Sequence, residues 1–309
     1  MARKHVANRI KNWLIYINVY ALVQLLCHLP RRFAITMMRT LSRAAFYLAK
    51  AERTKTMRHL TIAFGHEKSA NELNRIARQV FLNIGTVVAD AIRIPQIIEN
   101  GINNLITVEG REHLDRAVAN GQSAIILTGH FGNWELLGAW LVQNGYRLKV
   151  VARSAYDPRL DRMIVEARNQ AGYVSIERSK ATRDIIRAIR EGYCIGMLID
   201  QDTKVEGVFV KFFDRWAHTA IGPIVLARKY DVKIVPIFIR LRKDLTYHIE
   251  IQDPLQLEFT EDNERDLFVN TQKCSNVYEQ IIRRYPEQWV WMHERWKKQP
   301  DKEDTDISE

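Results

Sequence analysis

Ala124-Ile125-Ile126-Leu127 is an unbroken apolar run that ends in Thr128-Gly129, and from Asn133 onward Leu136, Leu137, Trp140 and Leu141 recur on one side of a helical pattern. A short apolar run bounded by turn residues reads as a buried strand, and the 3.6-residue period after it as a helix packed on that strand. The alternation continues, with strands expected at 105–108, 123–127, 147–152, 174–176, 193–199 and 234–240, and helices at 112–120, 158–171, 182–190 and 222–230. Such a pattern predicts an α/β fold, a mixed, largely parallel sheet with helices on both faces. Residues 247–251 read as an antiparallel edge strand and 267–285 as a long helix before a Trp-rich segment. Upstream, residues 41–90 have helical spacing throughout, with Ser69 or Asn71 as a cap and Leu73, Ile76, Ala77, Val80, Phe81 and Ile84 along one stripe. There is no internal repeat and no Gly-rich phosphate loop.

The pattern places His130 at the carboxyl end of a core strand, where open α/β sheets carry their chemistry. Glu135, in the first turn of the following helix, is expected to fold back and hold one ring nitrogen, leaving the other free to take a proton. Gly129 and Gly132 permit a tight turn, and Trp134 supplies an apolar wall. Zinc chemistry of the His-Glu-x-x-His kind is disfavoured because no second His follows. Cys27, Cys194 and Cys274 are isolated and have neither disulfide nor metal spacing, as suits a reducing compartment. No cofactor is expected.

Charge changes the picture at one end. Residues 1–60 hold twelve Lys/Arg against the single acid Glu52, whereas 61–309 hold 34 against 35, so the whole excess of the +10 net charge is N-terminal. Residues 13–29 form an apolar run broken only by Asn18, Gln24 and His28, flanked by Arg3, Lys4, Arg9 and Lys11 before and Arg31 and Arg32 after. That arrangement predicts an N-terminal membrane-anchoring helix lying at the cytoplasmic leaflet rather than a clean crossing or a cleaved signal peptide. An amphipathic helix packed on the domain is the alternative. Nucleic acid is excluded as a partner, because the basic residues flank an apolar run instead of interleaving with exposed aromatics. With 47% hydrophobic residues in 309 the chain can bury a large core. We divide it into a membrane-associated helical segment (1–45), an α/β domain (46–299) and an acidic, disordered tail (300–309).

His130-Phe131-Gly132-Asn133-Trp134-Glu135 resembles the His-x-x-x-x-Asp/Glu signature of glycerolipid-type acyltransferases, in the form carried by the bacterial lipid A late acyltransferases (lauroyl/myristoyl transferases). Further blocks resemble the same family in order along nearly the whole chain. They are Val150-Val151-Ala152-Arg153 with Asp157-Pro158-Arg159-Leu160-Asp161, Gly196 to Asp202 with its Asp200-Gln201-Asp202 end, Gly207 to Phe213, Ile234-Val235-Pro236-Ile237-Phe238, and Pro286 to Lys297. Lys211 and Asp214 depart from the family, which often has Pro and Gly there.

The resemblance implies an inner-membrane enzyme at the cytoplasmic face. It would move a fatty acyl chain from an acyl carrier protein thioester to a hydroxyl of a phosphorylated glycolipid, a Kdo-bearing lipid A precursor. His130 and Glu135 are the expected catalytic pair, working as general base and orienting acid without an acyl-enzyme. Arg153 is expected beside His130, as a cation for a phosphate or the developing oxyanion, or else in a surface ion pair. Asp200, Gln201 and Asn133 are expected to contact substrate at the site edge, or, for Asp200, to order its loop through backbone hydrogen bonds. Phe209, Phe212, Phe213 and Trp216 either line an acyl groove or form core, and Trp289, Trp291 and Trp296 are either core or an interfacial belt, with Arg295 and Lys297 facing headgroups. Arg178 and Lys180 are lesser anion contacts. The same chemistry on a phosphatidylinositol mannoside or lysophospholipid, and a non-catalytic membrane-binding protein, remain as alternatives.

Overall fold

The structure, a computed structural model, describes residues 2–155, 157–177 and 181–301. Arg178, Lys180 and residues 302–309 of the expected tail lie outside the described residues.

Seven strands form the central sheet, in the order β1 (Ile106–Glu109), β9 (Tyr247–Ile251), β8 (Lys233–Leu241), β2 (Ala124–Thr128), β5 (Cys194–Leu198), β3 (Leu148–Ala152), β4 (Val174–Glu177). The five strands from β8 to β4 run parallel. β9 pairs antiparallel to β8, as its sequence suggests, but it is not the edge, because β1 adds a further parallel strand outside it. The sheet is thus mixed and mostly parallel, with helices on both faces.

β2 is buried along its whole length, and its two faces serve two cores. Ile125 and Leu127 join the cluster beneath α9 (Ala181–Arg190), α10 (Gly222–Tyr230) and α11 (Asn263–Arg284), while Ala124 and Ile126 join the one beneath α6 (Arg111–Ala117) and α7 (Trp134–Gln143). This is the period-2 consequence of a strand buried on both sides. α8 (Pro158–Ala171) starts from the Asp157 cap with Pro at its first position and stops at Gly172 in the left-handed region, so local chemistry fixes both ends.

One element had no counterpart in the sequence pattern. Residues of the aromatic segment form an antiparallel hairpin, β6 (Gly207–Phe212) with β7 (Arg215–Ala220). Its two turn residues, Phe213 and Asp214, have φ of 51° and 57°. Positive φ at both central positions is the primed turn that suits a twisted hairpin, and Asp tolerates it better than most residues. Asp214 therefore meets the demand that Gly would meet in other members of the family resembled.

The N-terminal helices are α1 (Ala2–His28), α2 (Arg31–Leu48), α3 (Lys50–Phe64) and α4 (Ala70–Ile92), with a short α5 (Ile94–Glu99) after them. Ser69 caps α4 in a reciprocal box with Glu72. α2 lays Ala34, Ile35, Met38 and Phe46 inward, and Arg31 grips the fully buried Asp90 of α4 at 2.8 and 2.7 Å. Tyr247 of β9 donates to the same carboxylate at 2.8 Å, tying these helices to the sheet. No helix among the described residues is long and apolar enough to cross a membrane. α1 therefore gains no support as a membrane-crossing anchor.

Candidate active site

β2 and β5 are neighbours, with Thr128 opposite Leu198, so the residues that leave their carboxyl ends, His130 and Asp200, meet. The Asp200 carboxylate accepts from the His130 ring at Nδ1 (2.9 Å), from the His130 backbone N–H (2.8 Å) and from the Trp289 indole N–H (2.8 Å). Burial pushes the Asp200 carboxyl up, but the His130 charge and these donors outweigh it and hold it at about 2. It is thus ionised at any pH near neutrality. With Nδ1 bound to a carboxylate, Nε2 is the nitrogen left to accept a proton.

Close approach makes this geometry possible. A Cβ at Gly129 would stand 3.1 Å from the Asp200 carboxylate, and one at Gly132, where φ is +55°, would stand 1.7 Å from the Ile239 carbonyl oxygen. The loop is pinned to the C-terminal segment by Gly132 N–H to Gln288 O (2.9 Å) and Val290 N–H to His130 O (3.0 Å). The Trp134 ring stands 5.1 Å from the His130 ring, edge to face.

His130 opens on a cleft of about 1240 Å³ at the carboxyl ends of β2, β5 and β3. Leu137, Gly138 and Leu141 of α7 and Ile126, Val150 and Gly196 of the sheet line it, and Arg153, Gln201, Lys204, His293 and Lys297 bring polar groups to it. Among the described residues no group of His, Cys, Asp and Glu side chains is placed to hold a metal ion.

The expected orienting acid is the wrong one. Glu135 lines the cleft but points away from His130, taking Arg168 of α8 (Nε, 2.9 Å) and the Tyr173 hydroxyl (2.6 Å). Burial raises its carboxyl, and the Arg168 and Tyr173 bonds overcome that and leave it below its ordinary value. Asp200, in turn, is no substrate contact: its side chain is 0% exposed and is consumed by the groups it orients.

Other expectations move as well. Arg153 does not lie on a strand adjacent to β2, since β5 comes between, though it reaches the same cleft. Asn133 is fully buried and caps α7 through the Leu136 N–H at 3.1 Å. Phe212 is core, stacked on Trp296 at 5.6 Å, and Phe213 packs on Trp291. Phe209 meets the His218 ring, and Trp216 is covered by Lys211, so none of the four lines the cleft. Arg295 is buried instead of facing headgroups; it donates to His218 O and to Thr219 Oγ1, and burial brings it down to about 10. Trp289, Trp291 and Trp296 are all buried, which settles them as core.

Two site residues escaped the sequence reading, Trp289 as a donor to Asp200 and His293 facing His130. A buried indole needs an acceptor for its N–H, and that requirement was the available signal for the first.

The chain is also similar in sequence to known proteins. The family model described as bacterial lipid A biosynthesis acyltransferase matches residues 2–298. A Haemophilus influenzae lipid A biosynthesis acyltransferase is 24% identical over 300 residues, covering 94% of this chain and 90% of its own length. A Mycolicibacterium smegmatis phosphatidylinositol mannoside acyltransferase is 24% identical over 211 residues, 67% of each chain, and an Escherichia coli lipid A biosynthesis palmitoleoyltransferase is 22% identical over 237, covering 76% and 75%. With a family match running from α1 to the end of the Trp-rich segment, the chain belongs to the bacterial lipid A biosynthesis acyltransferases.

Proposed function

We propose that this acyltransferase moves a fatty acyl chain from an acyl carrier protein thioester to a hydroxyl of a Kdo-bearing lipid A precursor, directly and without an acyl-enzyme. The observation that carries the reading is the His130–Asp200 pair, whose Nε2 side opens on a cleft walled by apolar side chains. His130 takes the proton from the acceptor hydroxyl as its oxygen bonds to the thioester carbon and the carbonyl electron pair moves to oxygen. Collapse of that adduct breaks the C–S bond, and the departing thiolate takes the proton back from the imidazolium. No acyl-enzyme is needed in this scheme, and Cys194 and Cys274, both buried and pushed up to about 12 by that burial, are unsuited to be nucleophiles.

Glu135 and Arg168 then build the cleft wall, and Arg153, Lys204 and Lys297 offer cations to the acceptor's phosphates. The acyl chain is expected along the apolar lining that α7 and the sheet contribute to the cleft. The protein would work at the cytoplasmic face of the inner membrane, resting on the bilayer without crossing it. Exposed Trp13, Leu14, Ile17 and Phe33 beside the N-terminal cations support that placement.

A second acceptor class, phosphatidylinositol mannosides, is favoured by the relatives that carry that name. Purified protein offered a lauroyl acyl carrier protein thioester with each acceptor in turn separates the two. The lipid A precursor is expected to gain one acyl ester by mass spectrometry; transfer only to the mannoside would move the substrate and keep the chemistry, and transfer to neither would remove the reading.

A further inference from the structure

His293 is a buried-side imidazole that the mechanism above does not use. It lies just after Trp291, and its ring packs beside that of His130 at the cleft, centroids 5.5 Å apart and planes tilted by 54°. Trp134 closes the other side of His130. Neither ring nitrogen of His293 bonds to a protein group among the described residues, and the residue lines the cleft. Its N–H is thus free of the protein and available to a bound molecule beside the catalytic base.

We propose that His293 is a second catalytic residue, whose N–H holds the thioester carbonyl oxygen as that oxygen gains negative charge. The inference rests on the acyl-transfer reading of this site. In the tetrahedral adduct, the attacking oxygen and the carbonyl oxygen are bonded to the same carbon. A substrate whose first oxygen is bonded to His130 therefore brings the second, on the same carbon, to a donor close beside that ring, and His293 is packed there. An oxyanion needs a donor already aimed at the place where charge develops.

Charge state supports the role. Burial and the facing His130 hold His293 at about 4, with Asp200 and Glu52 opposing and Lys55 reinforcing the effect. At neutral pH the ring is therefore uncharged and carries one N–H. A neutral imidazole can polarise a carbonyl oxygen, and unlike a cation it does not resist formation of the His130 imidazolium during proton transfer.

The test uses full-length protein with lauroyl acyl carrier protein and the lipid A precursor in mixed micelles, comparing wild type with His293→Ala, His293→Gln and His293→Phe. His293→Ala is expected to lower kcat by about 100-fold, the usual loss for one oxyanion donor, with KM for donor and acceptor unchanged. His293→Gln, which keeps an N–H, should recover at least about tenfold of that, while His293→Phe, which keeps only the bulk, should not. Thermal unfolding of each variant reports whether the fold survives, so loss of one variant to misfolding leaves the other two to decide. Wild-type kcat in His293→Ala, or equal recovery by Phe and Gln, overturns the assignment and leaves the acyltransferase intact. Absence of transfer by the wild type itself removes the functional reading, and the assignment with it.

Discussion

His130→Ala is expected to lower the rate of acyl transfer by about 10³-fold, the middle of the range for removing a positioned general base. Its Nε2 is the open nitrogen of a ring otherwise bound to Asp200. The remaining turnover would come from binding donor and acceptor side by side. Folding is expected to suffer far less. Asp200 loses one partner but keeps the His130 backbone N–H and the Trp289 indole, so its buried charge is still met by two donors. Steady-state transfer assays with a labelled acyl thioester, alongside a thermal melt, check both halves. A single-turnover experiment on wild type adds that no labelled acyl group stays on denatured protein.

Glu135→Ala is expected to fail differently. Its carboxylate is held by the Arg168 guanidinium and the Tyr173 hydroxyl, and the Arg168 and Glu135 side chains are 16% and 23% exposed. Removing the acid leaves a largely buried cation without its counter-charge, which costs about 3 kcal/mol, the lower end for such breaks because the pair is not wholly dry. A drop of several degrees in melting temperature should accompany the loss of activity. The double variant Glu135→Ala with Arg168→Ala should be more stable than the sum of the single losses implies, since the orphaned charge is gone. Strict additivity would show that the pair does not hold the cleft wall. Lost activity at an unchanged melting temperature would instead show that Glu135 acts in catalysis and not in holding the cleft wall.

The contrast between these two carboxylates shows what can be read from sequence here. The strand that delivers His130 is announced by a run apolar at every position, because both of its faces are buried, and its helix by a local period and cap. Chemistry five residues away along the chain is easily seen and here misleads. Asn133 caps α7, so Glu135 falls in the first turn on the side turned to Arg168 and Tyr173. The acid that does meet His130 is 70 residues distant and is brought there by strand pairing, which no local pattern encodes. The same insertion of β5 displaces Arg153 from the neighbouring position. The β6–β7 hairpin was hidden for a local reason, since its Phe213-Asp214 turn lacks the Gly that usually marks one. Arg295 and the Trp-rich segment are core because the chain end packs back over the site, another long-range event.

Proton acceptance by His130 therefore turns on the Asp200 carboxylate and the tautomer it imposes. Three N–H groups converge on it, so an Asn in its place must turn its amide N–H₂ toward one of them. Facing His130, that amide would favour the ring proton on Nε2, the nitrogen that has to accept. The most direct test is the transfer rate of Asp200→Asn in protein whose circular dichroism matches wild type. A fall on the order of 10³-fold or more is the predicted result, as for carboxylate-to-amide changes in other His–carboxylate pairs; turnover at the wild-type rate would contradict it.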